Sequence, residues 1–427
     1  MTLVVAGLPP LSRVAAAFAA LLALAGCSES SSSEAGEAGS SEPAATSTFA
    51  ETESATQAPP PPPTTTESAD PVPIARGTVR VVPQRSPPPP ERLPAFRAVR
   101  IADANYPSGL AAAPDGRILY SELWGGQIRV IRRDGSVDPQ PWADVNARYR
   151  IRWTEFFHGG LSGIAFDPEF SRNRFVYVVT QVPDKRTGFP KKTLVIRYKE
   201  RRGRGTSPRV ILKLPARKFD NAFSLVFGPD GMLYVANGFL WDGRPRRKPL
   251  DDLFGKVLRV TPTGEAPGDN PYGRRAPRVW AMGLKNAFDL AFFPGKDLAV
   301  AGENGTVGHD EINLLMPGRH YGFPSREGFT RIRRLTPPLL DFGSRSPAPT
   351  GILYYSGRRY PALRGRFLMC NNDELGMVAL RIPRSDPGRL LAMTSLVDEC
   401  TLDLVQTPDG SVVFSDAGAI YRLALGG

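Results

Sequence analysis

Histidine and cysteine are both scarce, at three residues each in a chain of 427. His158, His309, His320, Cys27, Cys370 and Cys400 fall in no spacing that would close a zinc site. The chain also lacks a Gly-x-Ser-x-Gly nucleophile elbow, a phosphate-binding loop and a dinucleotide fingerprint, which removes the motif-borne hydrolase and nucleotide chemistries. Nucleic-acid motifs are missing as well, although the net charge is +12, from 54 Lys and Arg against 42 Asp and Glu. The positive residues come in short scattered clusters, at 201–204, 244–248 and 331–334. That distribution reads as a solvated, loop-borne basic surface, with a dedicated polyanion site as the alternative and no nucleic acid as partner.

Long apolar runs are also wanting. The first one, residues 14–25 behind Arg13, is too short for an ordinary spanning helix and closes in Leu24-Ala25-Gly26-Cys27. It reads as a secretory signal over 1–26 whose end resembles the bacterial lipobox, with a plain signal and an incidental cysteine as the alternative. The resemblance implies cleavage before Cys27, lipidation of its thiol and amino group, and an extracytoplasmic protein held at the membrane by that lipid. Each buried CH₂ would contribute ~0.8 kcal/mol to the hold. Residues 27–94 then show no hydrophobic period, first Ser-, Glu-, Ala- and Thr-rich and later carrying proline runs at 59–63 and 87–90. Such a segment buries too little to offset its ordering entropy, so a disordered tether is expected, with Val79, Val81 and Val82 as an apolar exception.

What the chain has in abundance is Gly and Pro, 42 and 43 residues, with an ordinary 41% of hydrophobic residues. These favour turns and β-structure over long helices. The stretch Leu225-Val226-Phe227-Gly228-Pro229-Asp230-Gly231-Met232-Leu233-Tyr234-Val235, preceded by 219–224, reads as a half-buried strand, a tight turn and a returning strand. A third strand follows at Lys256-Val257-Leu258-Arg259-Val260. The same signature recurs from Gly109, Leu161, Phe288, Thr350 and Leu402. Six units at roughly 50–60-residue spacing fit an all-β fold over 95–427, a six-bladed β-propeller of four-stranded antiparallel blades. The strand at 96–101 is expected to complete the last blade and close the ring.

Antiparallel pairing places the residues before each first strand and after each second strand at one end of the propeller. That end gathers Trp124, His158, Asp220, Asn221, Asn237, Trp241, Lys285, Asn286, Glu303, Asn304, Asn371, Asn372, Glu399 and Cys400. The opposite end holds the repetitive Pro-Asp-Gly turns, so the irregular end is the expected site. Cys370 closes a second strand and Cys400 precedes the first strand of the next blade. Both should lie at the site end, and outside the membrane they are expected to form a disulfide.

The anchors Gly160-Leu161-Ser162-Gly163-Ile164-Ala165-Phe166-Asp167-Pro168, Gly255-Lys256-Val257-Leu258-Arg259-Val260, Asp310-Glu311-Ile312-Asn313 and Gly318-Arg319-His320-Tyr321-Gly322-Phe323-Pro324 resemble the glucose/sorbosone dehydrogenase family. So do 351–357 and 364–367, and the resemblance spans about 107–425. It implies oxidation of a sugar or polyol by pyrroloquinoline quinone (PQQ), with calcium polarising the quinone, cationic groups holding its carboxylates and a base taking the hydroxyl proton. The family's catalytic His is replaced here by Asp220, beside Asn221, and the Arg that follows it by Ser224. The Arg-Asn pair before the fourth blade appears as Lys285-Asn286, and Glu-His-Gly as Glu303-Asn304-Gly305. The carbonyls of Gly305 and Thr306, with Asp310, become the implied calcium site. Arginines that open the last blade are replaced around Cys400 and Leu402, and His158 stands where the family places Gln or Glu near the cofactor.

Each residue has a plainer reading. Asp220 caps a turn, His158 bonds a loop carbonyl, and His309 and His320 are structural. Three functions follow: a quinone-dependent dehydrogenase, a propeller that binds a carbohydrate, cell-wall glycan or protein without catalysis, and a calcium-dependent lactonase-like hydrolase.

Overall fold

The computed structural model describes residues 79–145, 159–216, 224–239, 250 and 252–426. Cys27 and the signal, with His158, Asp220, Asn221 and Trp241, lie outside the described residues.

Runs of β-branched and aromatic residues, stopped by glycine-containing turns, give six four-stranded antiparallel sheets among the described residues. Strand β1 (Phe96–Asp103) precedes blade 1, which is β2 (Pro107–Ala112), β3 (Ile118–Glu122), β4 (Gln127–Ile131) and β5 (Ala143–Asp144). Blade 2 is β6 (Leu161–Phe166), β7 (Phe175–Pro183), β8 (Pro190–Arg201) and β9 (Arg204–Pro215). Blade 3 is β10 (Leu225–Phe227), β11 (Leu233–Asn237), β12 (Lys256–Val260) and β13 (Val279–Met282). Blade 4 is β14 (Ala287–Phe292), β15 (Ala299–Glu303), β16 (Glu311–Leu315) and β17 (Leu340–Asp341). Blade 5 is β18 (Pro349–Tyr354), β19 (Phe367–Asn371), β20 (Met377–Arg381) and β21 (Ala392–Val397). In blade 6, β22 (Leu404–Gln406), β23 (Val412–Ser415) and β24 (Ala419–Leu425) are joined by β1.

The expected closure is present, with Phe96 paired to Leu425 and Asp103 to Ala419. The first described strand therefore holds the last, and the ring has no free end within that blade. The turn glycines Gly116, Gly231 and Gly410 have φ of 90°, 72° and 80°, as tight turns at these positions require.

Six apolar clusters each span one pair of neighbouring blades. Tyr177 and Val179 of blade 2 meet Leu233 and Val235 of blade 3, for example. A blade is thus covered on both faces, and β11, β12, β15 and β16 are buried at every position. The half-buried alternation expected around residue 225 gives way in these middle strands to continuous burial. The innermost strands come so close that a Cβ on Gly109 would lie 1.9 Å from the Ser162 carbonyl oxygen.

Polar groups staple the inner strands. Ser108 Oγ donates to the Leu161 carbonyl at 3.0 Å, and Ser415 Oγ to the Pro107 carbonyl at 2.8 Å. Asp289 accepts from Ile352 N at 2.9 Å and from Ser224 Oγ, while Asp403 accepts from Leu110 N at 2.6 Å. These two carboxylates tie blade 4 to blades 3 and 5, and blade 6 to blade 1.

The tether expected over 27–94 is corrected at its C-terminal end. Val82 N donates to the Gly388 carbonyl and Gln84 N to that of Leu339, at 2.8 and 3.0 Å. Val79 and Val81 pack on the cluster between blades 4 and 5, and Glu91 pairs with Arg366 and Arg381 at 2.6 and 2.8 Å. Proline does not prevent this, because an extended chain laid on a sheet edge needs only some of its N–H groups.

Candidate functional site at the irregular end of blade 4

Blade 4 brings together most of the expected site residues. Register pairs Ala287 with Glu303, Glu303 with Glu311, and Glu311 with Asp341, so three carboxylates stand in a row where β15, β16 and β17 meet the site end. Glu303 and Glu311 are both 5% exposed. All four of their oxygens accept N–H bonds. Glu303 takes Lys285 N at 2.5 Å and Asn313 Nδ2 at 2.7 Å. Glu311 takes Asn313 Nδ2 at 2.8 Å and Gly328 N at 2.6 Å. One amide thus bridges both acids, and the acids fix the backbone at Lys285 and at the loop carrying Gly328.

Burial still outweighs these donors. It pushes Glu303 up to about 8, with the nearby Glu327 charge adding to the rise and Lys285 opposing it. Burial also drives Glu311 well above the usual carboxylate range, and the Glu303 charge adds to the effect. Two adjacent carboxyls in a dry site do not both ionise near neutral pH.

Next to this pair the chain from Asn304 to Asp310 folds into a tight loop. Asp310 is 2% exposed and accepts from Gly305 N and Ala348 N, both at 2.8 Å. Glu327 accepts from Thr306 N and Thr306 Oγ1 at 2.8 and 2.9 Å. A Cβ on Gly305 would lie 2.0 Å from the Gly308 carbonyl oxygen, so only glycine closes this turn. Among the described residues the carbonyls of Gly305 and Thr306 accept no hydrogen bond, while their N–H groups are held by carboxylates. No three His, Cys, Asp or Glu side chains among the described residues converge as a metal site, so a cation here would rest on carbonyls. Unpaired carbonyl oxygens beside acidic groups suit a hard cation such as calcium. His309 Nδ1 contacts Asp341 Oδ1 at 3.1 Å, and with Tyr321, Phe323 and Arg326 lines a narrow cleft over Glu303, Gly305 and Glu311. His320 takes Gly322 N at 3.0 Å and is pushed down to about 4, first by burial and then by Lys256 and Arg334.

The remaining positions surround this loop. Burial holds Asp310 above the ordinary carboxylate range against its two backbone donors, with the Lys285 ammonium opposing the rise, as it does at Glu303, and the Asp373 charge adding to it. The charge of Asp373 is also felt by Tyr106, whose ring stands 4.6 Å from that of Trp124. Among the described residues, Asn237, Asn286, Asn304 and Asn371 each keep an Oδ1 with no donor. Three of them, Asn237, Asn304 and Asn371, spend their amide N–H on carbonyls. Those orphaned acceptors lie at the strand ends where ligand donors are expected. Cys370 and Cys400 form the expected disulfide, both fully buried, with Cα atoms 5.0 Å apart. Leu402, two residues after Cys400, is 5% exposed. Reducing this bridge, or making Cys370→Ser with Cys400→Ser, should lower unfolding free energy by on the order of 3 kcal/mol for its 30-residue separation, read by denaturant unfolding with and without reductant.

Sequence reading missed Glu311, Asn313, Glu327 and Asp341 as site groups. Glu311 and Asn313 alternate along one strand inside a quoted motif, which was their available signal.

The family described as Glucose / Sorbosone dehydrogenase matches residues 104–422. The chain is 27% identical to aldose sugar dehydrogenase YliI of Escherichia coli, over 60% of this chain and 72% of that one. It is 28% identical to quinoprotein glucose dehydrogenase B of Acinetobacter calcoaceticus, over 55% of this chain and 53% of that one. A solved oxidoreductase (glucose dehydrogenase) from Thermus thermophilus superposes with a TM-score of 0.65 at 28% identity, covering 77% of this chain and all of the other. With its six blades, its closing strand and a match across the folded region, this chain belongs to the glucose/sorbosone dehydrogenase family.

Proposed function

We propose that the chain is an oxidoreductase acting on a CH–OH group of a sugar or polyol with PQQ and calcium, tethered outside a bacterial membrane by lipid on Cys27. The observation that carries this reading is the loop at Gly305 and Thr306, whose two carbonyls are unpaired while carboxylates hold its N–H groups. The bound quinone supplies the hydride acceptor, and calcium the Lewis acid. Gly305 and Thr306 hold the cation, and Asp310 and Glu327 hold the loop. Lys285 and Asn286 meet the anionic edge of the cofactor, a single point charge where a planar guanidinium would otherwise sit. The substrate hydroxyl proton goes to Asp220, which stands in sequence where the family has its His, with His158 the other candidate. Tyr106 and Trp124 offer an aromatic face to the sugar ring.

A second reading, a propeller that binds a sugar or cell-wall glycan without oxidising it, is favoured by one observation. By the family resemblance the paired arginines that open the last blade are replaced around Cys400 and Leu402, and Cys400 is held in a buried disulfide. Mixing the purified chain with PQQ and calcium decides between them. The proposal expects a stoichiometric change in quinone absorbance and aldose-dependent dye reduction, both lost to a chelator. Retention on glycan beads with no quinone binding would replace it by the second reading.

A further inference from the structure

A second recess, of about 570 Å³, lies between blades 1 and 2 at the turn end, opposite the site above. Six arginines line it, Arg117, Arg132, Arg133, Arg174, Arg202 and Arg204, against the carboxylates Asp134, Asp138 and Glu200. The wall therefore carries a net charge of +3, or +2 when Asp115 beside Arg117 is included.

The positive groups are held in place from beneath. The Glu200 side chain, 1% exposed, accepts from Arg117 Nη1 and Nη2 at 3.2 and 3.1 Å, from Trp142 Nε1 at 2.9 Å, and from Arg174 Nη2. Asp138 accepts from Arg204 Nη1 and Nη2 at 3.1 and 3.3 Å, and pairs with Arg132 at 3.3 Å. Each buried or half-buried carboxylate thus serves two guanidinium groups, and each guanidinium keeps N–H donors to spare. Arg133 and Arg202 are exposed and have no carboxylate partner among the described residues. Arg174 and Arg202 also sit at φ of 61° and 52°, where glycine or asparagine is the usual occupant. Arginine at both places puts charge on this recess at the expense of backbone preference.

We propose that this recess binds an anion carrying two or more phosphate groups. A fork of guanidinium donors suits phosphate oxygens, and a wall with three excess charges suits a ligand with several. Carboxylates fill the inner positions and repel a ligand from them, so its phosphates meet Arg133, Arg202 and the outer faces of Arg174 and Arg204.

The test is calorimetric titration of the full chain with inorganic tripolyphosphate at physiological salt, alongside flotation with vesicles containing cardiolipin, whose headgroup carries two phosphates. Binding to either probe should be saturable and fall at least tenfold in Arg133→Ala with Arg202→Ala, the probe that binds telling a free oligophosphate from a lipid headgroup. Arg331→Ala with Arg333→Ala removes the same charge from another exposed loop and should change affinity less than twofold. Binding to neither probe, or equal weakening by both double variants, would overturn the assignment. Neither readout involves quinone or sugar, so its failure leaves the oxidoreductase reading standing, and the reverse holds.

Discussion

Asp310→Ala is expected to weaken calcium binding about 100-fold, because Asp310 holds the loop that carries the carbonyls. Its two carboxylate oxygens accept from Gly305 N and Ala348 N, both at 2.8 Å. Removing them strands two N–H groups in a site where Asp310 itself is 2% exposed. Each stranded group costs about 1–3 kcal/mol, so the loop relaxes toward water and its carbonyls lose their common direction. Asp310→Asn keeps one acceptor and should fall between the wild type and the alanine variant. Calorimetric calcium titration reads the affinity, and circular dichroism shows that the propeller persists. Wild-type affinity in Asp310→Ala would place the cation elsewhere.

Stability is expected to fall as pH rises from 5 to 9. Burial pushes Asp289 up to about 6. Asp403 is pushed up to about 8, first by burial and then by the charge of Asp289, and Glu303 also reaches about 8. In the unfolded chain all three titrate near the ordinary carboxyl value of about 4. A carboxyl raised on folding binds its proton more tightly in the native state. The stability it contributes is complete below about pH 4 and is lost as pH climbs through 6 to 8. Because Asp289 and Asp403 share charge with each other and Glu303 with Glu311, the combined loss is on the order of 3–5 kcal/mol rather than a sum of independent shifts. Asp403→Asn cannot ionise, but it gives up one acceptor for Leu110 N or Leu404 N. It should be less stable than wild type at pH 5 and equal or better at pH 9. Denaturant midpoints across this range check the slope, and a flat or rising profile in the wild type would contradict it.

The architecture was legible because the fold repeats its punctuation. Pro-Asp-Gly turns at Gly116, Gly231 and Gly410 mark where chains reverse, and 96–101 could be assigned to the closing strand by counting what the last blade lacked. The cysteine pair was legible for the same reason, since antiparallel order puts Cys370 and Cys400 at one end. Lys285, Asn286, Glu303, Gly305 and Asp310 are also brought together as expected. Glu311, Asp289 and Asp403 were not foreseen as a group. Asp289 and Asp403 each sit alone between apolar residues and Glu311 lies between Asp310 and Ile312, and only strand register, or the contact of one inner strand with the next, reveals their partners. Composition misled at 79–94, because a proline-rich segment reads as a tether whether or not a sheet edge waits to receive it. The cluster at 201–204 was visible, yet its recess needs arginines from three other turns.

The most direct test is a crystal structure of the chain with PQQ and calcium, with the cation located by its anomalous signal. The account predicts a calcium ion on the carbonyl oxygens of Gly305 and Thr306, with the quinone over the irregular end of blade 4. A quinone-bound structure with the cation anywhere else, or crystals that take up neither group, would contradict it.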